Sequence, residues 1–301
     1  MSNKNLKAHL ALLFVTIFYG ANYTIAKEVM PNYIHPFGFI LTRAMGATIL
    51  YWLFSFTYKT VKIEKKDFPK LMLLAVFAVA ANQLTFFTGL NITTPVNASI
   101  IMITNPIVVV VLSVFFLKEK ISSWKIFGII FGISGASILL LFKKNFSFGP
   151  QTMEGDLFVF LNSIFWAIYL ILVKPLLKKY PAKAIMKWIF LFGTIYVIPF
   201  GYSDFVAVNW ASIPMFVWGC ILFVVVIVTF VTYFLNTYAL QELSPSVVSS
   251  YIYLQPVFAT IIALLFKKDE LNAIKIMAAF LICFGVYFST KTSGLKKKIE
   301  K

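Results

Sequence analysis

Imidazoles, thiols and carboxylates are all scarce in this chain of 301 residues. His9 and His35 are its histidines, Cys220 and Cys283 its cysteines, and no spacing among them suits a metal ion, so neither a metal nor a cofactor is expected. Both cysteines fall inside apolar runs, where a small free thiol is expected rather than a disulfide. Acidic residues number 11 against 27 basic ones. No Asp or Glu is expected within a membrane span, which argues against a proton pump built on a carboxylate relay. Nothing resembles a Ser/His/Asp set, a pair of membrane carboxylates or a phosphate-cradling loop, so no catalytic residue is assigned and no enzyme is expected.

What the chain has instead is apolar surface. Hydrophobic residues make up 60% and charged residues 13%, with 33 Phe, and mean hydropathy is +0.87. That leaves too little polar surface for a soluble globule of this size. A helix crossing a bilayer needs about 20 mostly apolar residues. Ten such runs can be marked, at 9–26, 37–57, 69–90, 96–117, 124–142, 155–173, 184–202, 214–238, 246–266 and 273–290. Their length, and the lack of strict alternation, exclude a lipid-facing barrel. The expected fold is an all-α membrane protein of ten transmembrane helices, the first of them a retained span rather than a cleaved signal peptide.

The formal charge of +16 would suggest nucleic acid in a soluble protein. Here the lysines fall between apolar runs instead of among stacking aromatics, so nucleic-acid binding is not expected. With a cytoplasmic N-terminus, twenty lysines fall in inside segments and six outside. The positive-inside rule then places both termini in the cytoplasm of a multi-pass plasma-membrane protein.

The chain also repeats. A shift of 150 positions superposes Pro95 on Pro245, Ser99 on Ser249, Asn105 on Gln255, Pro106 on Pro256, Lys118 on Lys268 and Gly135 on Gly285. A shift of 147 aligns the first spans, with Lys27 on Lys174. The chain therefore divides into two five-span repeats, residues 1–144 and 145–301, joined across Lys143 to Glu154. An odd number of spans forces the second copy to enter the membrane inverted.

Inverted repeats suit alternating access, which needs polar groups and bendable backbone near the midplane. Pro106 and Pro256 lack an amide hydrogen, free the carbonyls of Met102 and Ile252, and are the candidate hinges. Candidate cavity residues are Asn97 and Asn105 on the fourth run; Ser250, Tyr253 and Gln255 on the ninth; Asn82, Gln83 and Phe86 on the third; Tyr233 and Asn236 on the eighth; Tyr19 and Tyr23 on the first; and Trp166 on the sixth. Polar side chains in a membrane core tend to mark pathways, although such residues also satisfy kinked backbone or anchor packing. Arg43 is the charge deepest within a span. It either meets an anionic group in a watery cavity or, as its place about two turns into the second run favours, snorkels to headgroups. Glu119 and Asp269 are expected to cap the helices after them, near Ser122 and Asn272.

In order along the chain, Phe18-Tyr19-Gly20-Ala21-Asn22-Tyr23, Arg43, Gly89-Leu90, Asn105-Pro106, the Phe116 to Ser122 run end, Gly128, Gly132 and Gly135, and Gln255-Pro256 resemble the EamA family of the drug/metabolite transporter superfamily. Asp269, Ala278 and Ile282 depart from its pattern, which weakens close packing of the tenth span. The resemblance implies two five-helix halves around a central cavity, and a secondary transporter of a bacterial inner membrane. Its substrate would be a small amphipathic metabolite, such as an amino acid or related compound, moved by export. Exchange of an organic phosphate or nucleotide sugar, or a scaffold subunit without transport, are the alternatives. The partners implied are the small-molecule substrate and the lipid bilayer, with a homo-oligomer left open.

Overall fold

The computed structural model describes residues 3–58, 61–141, 150–265 and 273–290. The expected repeat junction, the Lys268-Asp269-Glu270 stop, Asn272 and the C-terminal lysines from 291 onward lie largely or wholly outside those residues. The helices are α1 (Asn3–Val29), α2 (Pro36–Ser55), α3 (Lys65–Ile92), α4 (Pro95–Met102), α5 (Asn105–Leu117) and α6 (Ser123–Leu141). They continue with α7 (Pro150–Leu177), α8 (Ala182–Ala207), α9 (Met215–Glu242), α10 (Pro245–Ser250), α11 (Gln255–Leu265) and α12 (Ala273–Thr290). No strand occurs among the described residues.

Among the described residues, eight helical stretches are long and apolar enough to cross a bilayer: α1, α2, α3, the joined Asn97–Leu117 stretch, α7 from Thr152, α8, α9 and α12. Helix α6 is shorter, and α10 and α11 are short pieces parted by a 3-10 turn at Tyr251–Leu254. Proline opens α2, α4, α7 and α10, where its missing N–H removes no intrahelical bond. At α4, Thr94 adds a cap by accepting from the Asn97 amide at 3.1 Å.

Both expected breaks are present. Ahead of Pro106 the backbone tightens, with the amides of Ile103 and Thr104 bonded three residues back at 3.0 Å. Ahead of Pro256 the 3-10 turn takes that role. Two further departures have no proline. Helix α3 widens into a π turn at Val76–Ala80 and α9 into a longer one at Phe223–Val231.

Glycines set how closely the helices pack. A Cβ on Gly89 of α3 would stand 2.7 Å from the Gly155 carbonyl of α7, and one on Gly155 would stand 2.8 Å from the Thr93 amide. Likewise a Cβ on Gly285 of α12 would meet the Gly132 amide of α6 at 2.4 Å. In both pairs backbone touches backbone, which no side chain can relieve. Ala278, where the sequence departs from glycine, is fully buried, and its carbonyl lies 2.7 Å from where a Gly135 Cβ would be, so α6 and α12 pack closely in spite of it. Helix α2 lies along α8, α3 along α7, α1 along α9, and α6 along α12.

Candidate substrate cavity

A cavity partly open to bulk lies among α1, α2, α3, α4, α7, α9, α10 and α11. Its polar lining is assembled where the helices depart from regular geometry. The π turn of α3 ends two residues before Asn82 and Gln83, and that of α9 ends just before Thr232 and Tyr233. A π turn adds a residue to the helix and rotates the residues beyond it, and such turns are frequent at functional sites.

Nine of the sequence-predicted residues meet here: Tyr19, Tyr23, Asn82, Gln83, Phe86, Trp166, Tyr233, Asn236 and Gln255. Tyr233 donates to the Asn82 side-chain oxygen at 3.2 Å and packs edge-on against Trp166, with ring centroids 5.5 Å apart. Asn162 donates to the Asn82 carbonyl at 2.7 Å, tying α7 to α3. Tyr23 donates to the Gln255 side-chain oxygen at 3.1 Å. Several polar atoms beside these pairs are buried without a hydrogen-bond partner: Asn22 Oδ1, Asn236 Oδ1 and Arg43 Nη1.

Arg43 corrects the snorkelling expectation. It is only 2% exposed and lines the cavity. Its Nε donates to Thr229 Oγ1 at 2.9 Å, and its Cζ lies 4.1 Å from the centre of the Phe87 ring. Thr229 in turn donates at 2.7 Å to the Val224 carbonyl, five residues back within the π turn, which leaves its oxygen lone pairs for the guanidinium. Depth along a helix did not decide the matter; the face of the helix did.

Four predicted residues sit elsewhere. Asn105 donates to the Ser163 carbonyl of α7 at 2.7 Å, and Asn97 lies 3.5 Å from the Asp156 carboxylate. Ser250 is bonded to the Val247 carbonyl at 2.8 Å, and Tyr253 packs on Gly132 of α6. The stripe drawn from the sequence assumes regular helix on both sides of the prolines. The tightened turns change the register of the residues beyond them, and Ser249 and Tyr251 stand in the lining where Ser250 and Tyr253 were expected. Tyr251 bonds to His9 Nδ1 at 2.7 Å. The repeat pattern matched Ser249 to Ser99 without marking it as cavity lining, and no pattern in the sequence singled out Tyr251.

A carboxylate does enter a span. Asp156, in the first turns of α7, is 7% exposed and accepts from Thr93 Oγ1 at 2.5 Å, so the expectation of none is corrected. It lies outside the cavity lining. Glu119, between α5 and α6, reaches across to α10, accepting from Ser246 Oγ at 2.8 Å and also from Lys125. Burial raises its carboxyl, but the bonds from Lys125 and Ser246 outweigh burial and hold it below the usual carboxylate range. Ser122, not Glu119, caps α6, accepting from the Lys125 amide at 3.4 Å.

Long apolar helices around a largely apolar, partly open cavity that carries a few polar groups describe a multi-pass membrane protein. The EamA-like transporter family matches residues 6–141 and again 153–291. The chain belongs to that family. It is similar to the uncharacterized transporter YyaM of Bacillus subtilis (strain 168), at 25% identity over 94% of this chain and 93% of that one. An uncharacterized transporter of Archaeoglobus fulgidus is 24% identical over 95% of this chain and 98% of its own. A solved structure with 13% identity superposes with a TM-score of 0.77 over the full length of both chains, which speaks to fold alone.

Proposed function

We propose that the protein is a secondary transporter that carries a small amphipathic metabolite across the plasma membrane by alternating access, in the direction of export. The cavity carries this reading. Its wall joins apolar and aromatic side chains to amides whose hydrogen bonds are unmet, which suits a solute with both polar and apolar parts.

The mechanism rests on ten spans in two inverted halves. Helix pairing supports it: α3 with α7 and α1 with α9 exchange places under a two-fold relation between the halves, while α2 with α8 and α6 with α12 map onto themselves. So do two lysines at equivalent positions of the repeats. Lys27 donates to the Asn91 carbonyl at the end of α3, and Lys174 to the Leu243 carbonyl just past the end of α9. The paired π turns and the paired proline breaks obey the same relation. The breaks give each half a place to bend without exposing backbone to lipid. Asn105 and Gln255 are not equivalent in this state, since Gln255 lines the cavity and Asn105 is held by α7. Two halves exchanging conformations would produce such an asymmetry.

The test is flux into proteoliposomes of purified protein across amino acids, organic acids, nucleosides and sugars, with and without a pH gradient. Saturable flux of one class, reduced when Asn82 and Asn236 are replaced by Leu, is expected. No flux of any class above empty liposomes contradicts the reading and favours a scaffold.

A further inference from the structure

Arg43 is a cation fixed in the cavity with no carboxylate among the described residues around it to neutralise it. Its guanidinium is held on two sides, by Thr229 at Nε and by the Phe87 ring face, while Nη1 is buried and unpartnered. No Asp or Glu is among the described residues lining the cavity. Asp156, the buried carboxylate of α7, is bonded to Thr93 outside that lining. Arginine keeps its charge throughout the physiological range, and a buried charge without a partner is strongly unfavourable. An anion supplied from outside the protein would remove that penalty.

We infer that the transported molecule bears a single carboxylate and docks it on Arg43, whose unpartnered Nη1 is buried in this state and is uncovered as the site takes the ligand, an inference that rests on the transport reading above. Three observations set this chemistry. The fork of a guanidinium matches a planar carboxylate. Arg43 is the only charged residue in the described lining, so a cation would be repelled, a dianionic phosphate would leave one negative charge uncompensated, and a zwitterion would set its ammonium against uncharged side-chain oxygens alone. Asn22 and Asn236 line the same cavity with side-chain oxygens that are buried and unpaired in this state and could turn to the rest of the molecule, whose apolar part meets Val15, Val228 and Ile252. Thr229 is a positioning residue, aiming the guanidinium through Nε from the π turn.

The carboxylate could come from an organic acid or from a zwitterion, and a charge series on one skeleton separates these sources from each other and from other classes. We would measure the melting temperature of the full-length protein in detergent with 3-phenylpropanoate, phenylalanine, 3-phenylpropanamide, 3-phenylpropylamine and phenyl phosphate, and repeat the series with acetate, glycine, acetamide and methylamine. The expected result is stabilisation by carboxylates alone: by the simple acid if the source is an organic acid, by the amino acid if it is a zwitterion. Arg43→Gln should need at least tenfold more of the same ligand, and Arg43→Lys, which keeps the charge but loses the fork, an intermediate amount. Thr229→Val should weaken carboxylate binding whereas Thr229→Ser, which keeps the hydroxyl on Arg43 Nε, should not, and this pair keeps the test open if Arg43→Gln fails to fold. Equal stabilisation by the amide, the amine or the phosphate overturns the inference, as does stabilisation by none at millimolar concentration, or acid binding by Arg43→Gln as tight as in the wild type. Saturable flux of a neutral or cationic solute alongside such a result would leave the transport reading intact. Carboxylate binding without any flux would do the reverse.

Discussion

At the scale of single residues, Glu119 adds a polar link from the end of α5 to Ser246 of α10, two helices that also pack on each other. Its folded carboxyl titrates below the unfolded one, so its contribution to stability is complete above the unfolded value and is lost as pH falls through the folded one. We therefore expect melting temperature in detergent to decline on acidification below the usual carboxylate range. Glu119→Gln should lower stability at neutral pH and flatten that acid limb; an unchanged limb would show that other carboxylates carry it. Gly89 gives a second residue-scale prediction. Gly89→Val drives its side chain onto the Gly155 carbonyl and should destabilise by about 1–3 kcal/mol, as overpacking does. A wild-type melting temperature in that variant would mean α3 and α7 are looser than the structure shows. What the sequence could reveal at this scale was residue type and not facing. Arg43 looked shallow because distance from the helix end was countable, whereas its contacts with Thr229 and Phe87 come from two other helices.

Among the elements, the periodicity of apolar residues located the helices well, because bilayer thickness imposes a length that composition reports directly. The helices overrun the apolar runs, α8 reaching Ala207 beyond the run end at 202, since polar residues continue the same backbone. Proline was legible as a break because its missing donor is local chemistry. The π turns were not, since Val76–Ala80 and Phe223–Val231 are ordinary apolar sequence whose widening reflects packing against other helices. Asn97, Asn105, Ser250 and Tyr253 lie outside the lining for another reason, since the sequence does not say which neighbouring helix each side chain meets. If the breaks at Pro106 and Pro256 bend during transport, Pro106→Ala and Pro256→Ala should restore a backbone bond, keep or raise stability, and slow turnover more than they weaken affinity. A fall of about tenfold would correspond to roughly 1.4 kcal/mol on the rate-limiting step. Concentration-dependent flux separates the two effects, and a double variant turning over at the wild-type rate would leave the prolines as static kinks.

For the molecule as a whole, the duplication was readable because two copies of one pattern sit 150 positions apart, and the proposed exchange of inward and outward states derives from it. The cavity's place between the helices was readable only in outline, since it depends on which of many similar apolar helices adjoin. The lysine distribution leads us to expect Lys178 inside and Asp204 outside. Single-cysteine labelling with an impermeant reagent, in a background with Cys220 and Cys283 replaced, should mark Asp204→Cys in intact cells and Lys178→Cys only after lysis. The same background permits the most direct measurement of the central claim, that the cavity opens alternately to the two sides. Asn22→Cys would be placed in the cavity wall of protein reconstituted in one orientation, and an impermeant maleimide added to one side or the other. Alternating access predicts labelling from both sides, with a bound carboxylate substrate slowing both rates. Labelling from one side only, at a rate indifferent to substrate, would contradict it.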